Sequence, residues 1–212
     1  MLKITSAQIN PTIGDIDGNI SLMLRAARQA RDEKAHMVVF PELSLTAYYP
    51  GDLLDDAGFQ TRIVEGLEQI KLATRETPKL FWVVGAPMRR QGPGKPFHNA
   101  LLVLKNGEIV LQYAKQLLPT YNIFDERRHF EPGPDVARVL RIADMQVGLM
   151  ICVDGWNDEG QDYGVNPFQR LADAAPDLIV SINASPATSA SASSATPCLA
   201  KRANATSSRC LR

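Results

Sequence analysis

The chain has no excess charge of either sign: 23 lysines and arginines stand against 23 aspartates and glutamates, so no nucleic acid or anionic membrane is suggested as a partner. Nor does it contain a stretch of about 18 apolar residues, the length a membrane-spanning helix needs. The opening MLKITSAQINPTIGDIDGN holds no apolar run of signal-peptide length. These absences predict a cytoplasmic protein acting on a small molecule. Cysteine is scarce as well. Cys152, Cys198 and Cys210 are odd in number and show no C-x-x-C spacing, which argues against a disulfide framework, a metal knuckle or a redox pair.

What is present fits one domain. A chain of 212 residues with 45% hydrophobic content is long enough to bury a core. Segments of strand character at 2–9, 37–40, 81–86, 100–104, 145–151 and 178–183 alternate with helical ones, which gives an α/β class. In 19–34, Ile20, Met23, Leu24 and Ala27 recur at helical spacing, while Arg25, Arg28, Arg31 and Asp32 take the other side. Asn106-Gly107 separates the apolar runs LLVLK and EIVLQY as a two-residue hairpin turn requires, so a wholly parallel sheet is not expected. After Pro186 the composition changes. Residues 187–196 are only Ala, Ser and Thr, a basic stretch without apolar periodicity follows, and no core element is expected there.

Three side chains capable of chemistry lie just beyond apolar strands: Glu42 after MVVF, Lys115 after EIVLQYA and Cys152 after VGLMI. Strand ends are where α/β sheets present functional groups. A thiol with an ordinary pKa of about 8.5 is only a few per cent ionised at neutral pH, so a nucleophilic cysteine needs a base or a cation nearby. Glu42 and Lys115 could supply both. Taken singly, each has a plainer reading: a buried cysteine is commonly an inert small hydrophobe, and an isolated Glu or Lys a solvated surface group.

Together the stretches FPELSLTAYYP, YAKQLLPTYNIFDERRHFEPG and VGLMICVDGW, in this order, resemble the Glu, Lys and Cys blocks of the nitrilase superfamily of carbon–nitrogen hydrolases. The resemblance runs from residue 4 to residue 186 and includes AQINPTIGDIDGN and LIVSINASP. Within the superfamily, YYPGDLL and LPTYNIFDERRHFEPG are most similar to the N-terminal glutaminase domain of glutamine-dependent NAD synthetases. The resemblance implies an α-β-β-α sandwich with two mixed sheets, in chains that form homo-oligomers. It implies that Cys152 attacks a carboxamide carbon, that Glu42 is the general base and that Lys115 stabilises the oxyanion. Ammonia leaves, and water hydrolyses the thioester. The backbone amide of Val153 becomes a second oxyanion donor, Tyr121 and Ser185 contact the substrate, L-glutamine, and Glu126 orients Lys115 or the substrate. No metal and no cofactor are needed in this domain. ATP and magnesium belong to a synthetase domain in the parent protein, whose S-G-G-x-D-S signature does not occur in this sequence. His36, His98 and His129 match no block and read as structural or surface groups.

Three departures from the family pattern stand out. Val153 occupies the place of an acidic residue in C-E-D, which removes a side-chain contact to the substrate. The segment WNDEGQDYGVNPFQRLADAAPD is longer than in many such glutaminases. Beyond NASP the family continues with a polar Gly-Lys stretch and further strands. Here, codons for residues 187–196 read one nucleotide out of register can encode Ser-Asn-Ile-Gly-Lys-Arg-Glu-Gln-Arg-His. The expectation is therefore a hydrolase domain over 1–186, C-terminally truncated, followed by a frameshifted, non-native tail over 187–212. Two other functions compete: a free-standing amidase for another small amide or carbamoyl compound, and a non-catalytic nitrilase-like binding domain.

Overall fold

The computed structural model describes residues 1–121, 124–157 and 163–185, and the backbone of 209–211. Five strands form the first sheet in the order β1 (Ile4–Ser6), β2 (Met37–Val39), β3 (Phe81–Arg89), β4 (Phe97–Lys105) and β5 (Glu108–Ala114). β1, β2 and β3 run parallel, and β3, β4 and β5 antiparallel. The second sheet has the order β6 (Arg138–Ile142), β7 (Met145–Ile151), β8 (Leu178–Ile182) and β9 (Arg209–Leu211), antiparallel at its first pair and parallel at the others. Both sheets are mixed, as expected. α1 (Ile16–Asp32) joins β1 to β2, α2 (Ala57–Ala73) precedes β3, and α3 (Pro167–Asp173) lies between β7 and β8.

The alternation of side chains along each strand builds the layers. On β3, Trp82, Val84 and Ala86 turn toward Ile20, Met23 and Ala27 of α1 and Ile63 and Ile70 of α2. Val83 turns the other way, joining Leu101 and Val103 of β4 against Val147, Leu149 and Ile151 of β7 and Val180 of β8. The outer face of the second sheet places Met150 and Ile179 against Phe168 and Leu171 of α3. The order is helix, sheet, sheet, helix, and the central strands are buried on both faces. That is why their sequences read as unbroken apolar runs such as ALLVL. Each fully buried aliphatic or aromatic side chain contributes roughly 1.5–3 kcal/mol of transfer free energy.

Local signals set the boundaries. Asp15 caps α1 by accepting from Gly18 N at 3.0 Å, and Asp56 caps α2 by accepting from Phe59 N at 2.6 Å. The first helix thus starts three residues before the apolar periodicity suggests. Asn106 and Gly107 both have positive φ, 48° and 89°, as the predicted two-residue hairpin between β4 and β5 requires. β1 is shorter than the 2–9 segment of strand character. Beyond Pro186, where no core element is expected, the backbone of Arg209–Leu211 pairs in parallel with Leu178–Val180. The rest of the expected tail lies outside the described residues. No helix among the described residues is long and apolar enough to cross a membrane.

Candidate active site

The site is assembled from strand ends of both sheets. Glu42 follows β2, Lys115 follows β5, Cys152 follows β7, and the loop 183–185 follows β8. Glycine makes room at two of these ends. A Cβ on Gly85 would lie 2.3 Å from Leu43 N and 2.7 Å from Pro41 O, so only glycine lets β3 carry the Glu42 turn this closely. A Cβ on Gly133 would lie 2.2 Å from Ala114 O, and Gly133 N donates to Lys115 O at 2.8 Å. Two turns hold non-glycine residues in the left-handed region: Leu43 has φ 49° and Cys152 has φ 45°. Each such conformation costs on the order of 1–2 kcal/mol, strain of a kind that gathers at functional sites.

Glu42, Lys115 and Glu126 are buried and form one charged cluster. The Lys115 ammonium donates to Glu42 Oε1 at 2.7 Å and to Glu126 Oε1 at 2.6 Å. Asn99 Nδ2 donates to Glu42 Oε1 at 2.8 Å and to Glu126 Oε2 at 3.3 Å, and the Tyr48 hydroxyl donates to Glu126 Oε1 at 2.9 Å. The other oxygen of Glu42, Oε2, accepts from Ala184 N at 3.2 Å. Cys152 Sγ lies 3.3 Å from the hydroxyl of Ser185, the next residue along that loop. One short segment therefore touches both the carboxylate and the thiol.

The electrostatics follow from burial and from two carboxylates sharing one cation. Burial alone would lower Lys115, but Glu42 and Glu126 outweigh it and hold the ammonium well above its ordinary pKa. Burial raises Glu126, opposed by Lys115 and by the hydroxyl of Tyr48. Burial also pushes the Cys152 thiol up to about 12, the negative charge of Glu42 adds to this, and Lys115 and Ser185 offset it only in part. At neutral pH roughly one thiol in 10⁵ is then ionised, so this cysteine reacts only if a base takes its proton during attack. Lys115 has three N–H donors and spends two on carboxylates, which leaves one for an oxygen that becomes negative.

The remaining expected residues occupy different settings. Val153 is buried and packs between the sheets with Ile151 and Leu149, which accounts for an apolar residue where C-E-D would place an acid. It is the second residue of the short 3-10 turn Cys152–Gly155, whose first amides lack carbonyl partners within the turn. Tyr121 is half exposed at the rim, its ring edge-on to Phe124 at 5.5 Å, and Phe124 in turn meets Tyr48 at 6.1 Å. The sequence reading did not include Asn99, Tyr48 or Asp154 among the site residues. Asp154 accepts from the Tyr113 hydroxyl at 2.7 Å, from Leu117 N at 2.8 Å and from Gln116 N at 3.1 Å, tying the cysteine turn to the residues just after Lys115. Burial pushes its carboxyl up to about 7 against these donors. Asn99 gave no signal of its own, although it stands opposite Lys115 by hairpin register, one step beyond the Ala100 and Ala114 pair.

His129 is buried with Nδ1 at 2.6 Å from the Tyr49 hydroxyl, and with Asp52 and Asp55 it forms a group whose ligand atoms lie within 4.8 Å of one another. Arg128 already pairs with Asp52 at 2.9 Å. His98 bonds Glu131 O at 2.8 Å, and His36 accepts from Lys3 N at 3.1 Å.

Comparison with known proteins shows the family and the fold. The family described as carbon-nitrogen hydrolase matches residues 3–161. A glutamine-dependent NAD(+) synthetase of Synechocystis sp. is 37% identical over 195 residues, covering 88% of this chain and 34% of that protein. The corresponding synthetase of Thermotoga maritima is 37% identical over 186 residues, covering 87% and 30%. The chain spans about a third of the length of these curated relatives. Among solved structures, glutamine-dependent NAD+ synthetase from Acinetobacter baumannii superposes with a TM-score of 0.85 at 27% identity, over 97% of this chain and 36% of that one. An amidase of the nitrilase superfamily from Nesterenkonia AN1 shares the fold, with a TM-score of 0.80 at 20% identity over 99% and 76%.

Proposed function

Because this chain belongs to the carbon–nitrogen hydrolase family, we propose that it hydrolyses a carboxamide through a thioester on Cys152, and that the amide is the side chain of L-glutamine. The observation that carries this reading is the buried Glu42–Lys115 pair, 2.7 Å apart, joined by one loop to a thiol that burial keeps protonated.

Each step uses a group already in place. Glu42 takes the Sγ proton as sulfur forms its bond to the amide carbon, and the carbonyl electron pair moves onto oxygen. The third N–H of Lys115, with the backbone N–H of Val153, stabilises that oxyanion. Glu42 then passes its proton to the amide nitrogen, the carbon–nitrogen bond breaks, and ammonia leaves. Water enters, Glu42 removes its proton, and the resulting attack on the thioester expels sulfur, which recovers the proton. Every proton passes through Glu42: the thiol proton leaves with ammonia, and the water proton restores the thiol. A second ion pair, to Glu126, holds Lys115 in place, and Tyr121 and Ser185 contact the substrate.

In this reading residues 1–186 are the glutaminase portion, and the ammonia serves a synthetase portion of the parent protein, where ATP and magnesium act. The names of the similar proteins, glutamine-dependent NAD(+) synthetases, favour this substrate over other small amides. The test is ammonia release from L-glutamine and from a panel of small amides, by the protein and by Cys152→Ala. L-Glutamine should be preferred, and the substitution should lower its hydrolysis on the order of 10³-fold or more. Preference for another amide would overturn the substrate, and near-normal hydrolysis by Cys152→Ala would overturn the nucleophile.

A further inference from the structure

Asn99 has no role in the steps above, yet it is completely buried and its carboxamide is aimed at them. Nδ2 donates to Glu42 Oε1 at 2.8 Å and to Glu126 Oε2 at 3.3 Å. The main-chain oxygen of Asn99 accepts from Lys115 N at 2.8 Å. One residue thus touches every member of the charged cluster. Its side-chain Oδ1, in contrast, is buried without a hydrogen-bond partner among the described residues. The two carboxylates decide which way the amide points, because a flipped amide would turn Oδ1 onto their oxygens and repel both. A buried acceptor without a donor is destabilising and uncommon in folded proteins, so its presence needs a reason. The reason lies at the other end of the same amide, where both N–H groups meet carboxylates.

We propose that Asn99 is a positioning residue that bridges the Glu42 and Glu126 carboxylates, fixing Glu42 beside the cysteine loop and bracing both carboxylates around a single lysine. The proposal rests on the reading of Glu42 as the base for Cys152. Two carboxylates and one ammonium leave an excess negative charge in a buried space. The titratable groups facing the pair are Lys115, Tyr48 and Cys152, with Asp154 beyond Lys115. Lys115 is the cation among them, and it cannot neutralise both acids. Asn99 supplies the further donation that favours the ionised form. Without it each carboxylate loses a donor to its charged form, so protonation of the pair is favoured relative to the unsubstituted protein.

The experiment compares the protein with Asn99→Leu, which keeps the volume but removes both donors, and with Asn99→Asp, which is nearly isosteric. Two properties are measured: kcat and KM for ammonia release from L-glutamine, and the pH dependence of Cys152 alkylation by iodoacetamide. Alkylation is followed on the peptide carrying Cys152, so that Cys198 and Cys210 do not contribute. Asn99→Leu should lower kcat about 30-fold or more with KM changed less than about threefold, and move the acid limb of alkylation up by about one pH unit. Asn99→Asp should move that limb in the same direction. Asn99→Ser, which removes the bridging amide without adding a charge beside the two carboxylates, should move the limb likewise and keeps the test decisive if the leucine and aspartate variants do not fold. An unmoved acid limb in a folded variant, or a loss confined to KM, would overturn the proposal. If the unsubstituted protein releases no ammonia from L-glutamine, the substrate reading fails while the alkylation profile still decides the role of Asn99.

Discussion

At the scale of single residues, the decisive feature is that burial raises the thiol of Cys152 and the carboxyl of Asp154 alike, with opposite consequences for how each is used. In the proposed mechanism the thiol stays neutral until Glu42 takes its proton. Asp154 has a different role. Its pKa is raised from an ordinary 3.8 to about 7, so the folded state binds a proton that the unfolded chain releases between those values. Its contribution to stability is complete below about pH 4 and is lost as pH rises through 7. Asp154→Asn keeps an oxygen for the amides of Gln116 and Leu117 and can donate to the Tyr113 hydroxyl, without a charge to bury. Relative to the unsubstituted protein, this variant should therefore gain stability between pH 5 and pH 8, by on the order of 2–4 kcal/mol. Denaturant unfolding at the two pH values checks this. A constant difference across that range would mean that Asp154 ionises normally.

At the scale of elements, the sequence was most legible where side-chain period and turn chemistry agreed. The hairpin at Asn106-Gly107 and the strands ending in Lys115 and Cys152 are such places. The second helix repeats Phe59, Ile63, Leu67 and Ile70 at helical spacing behind the Asp56 cap, but its start is masked by the turn-rich YYPGDLL block that runs directly into it. β6 sets the adjacent Val139 and Leu140 between Arg138 and Arg141, without the strict alternation that announces a half-buried strand. Elements also explain why the Glu42 turn depends on β3. Gly85 N accepts no substitute geometry here: it donates to Ser44 Oγ at 3.2 Å, and Gly85 O accepts from Leu45 N at 3.1 Å. Gly85→Ala would drive a Cβ into the backbone beside Glu42, costing about 1–3 kcal/mol of stability. Because the displaced segment carries the base, kcat for amide hydrolysis should fall about tenfold or more even where the variant remains folded. Thermal melting and ammonia release measured on the same preparation separate the two effects. Full activity in Gly85→Ala would show that the turn tolerates the shift.

At the scale of the whole molecule, the sandwich brings together residues more than a hundred positions apart. The first sheet contributes Glu42, Asn99 and Lys115, and the second contributes Cys152 and the loop 183–185. The residues named from sequence were those whose neighbours form recognisable blocks: Glu42, Lys115, Tyr121, Glu126, Cys152, Val153 and Ser185. Asn99 and Tyr48 were invisible because their importance lies in which carboxylate each faces, and only the packed sheets define that. The central claim is that Cys152 carries the acyl group. The most direct measurement is rapid acid quench of the protein mixed with L-glutamine, followed by mass analysis of the peptide containing Cys152. The account predicts a gain of one γ-glutamyl group on Cys152 that forms and decays in step with ammonia release and is missing in Cys152→Ala. Ammonia released without that adduct, or with the adduct on another residue, would contradict it.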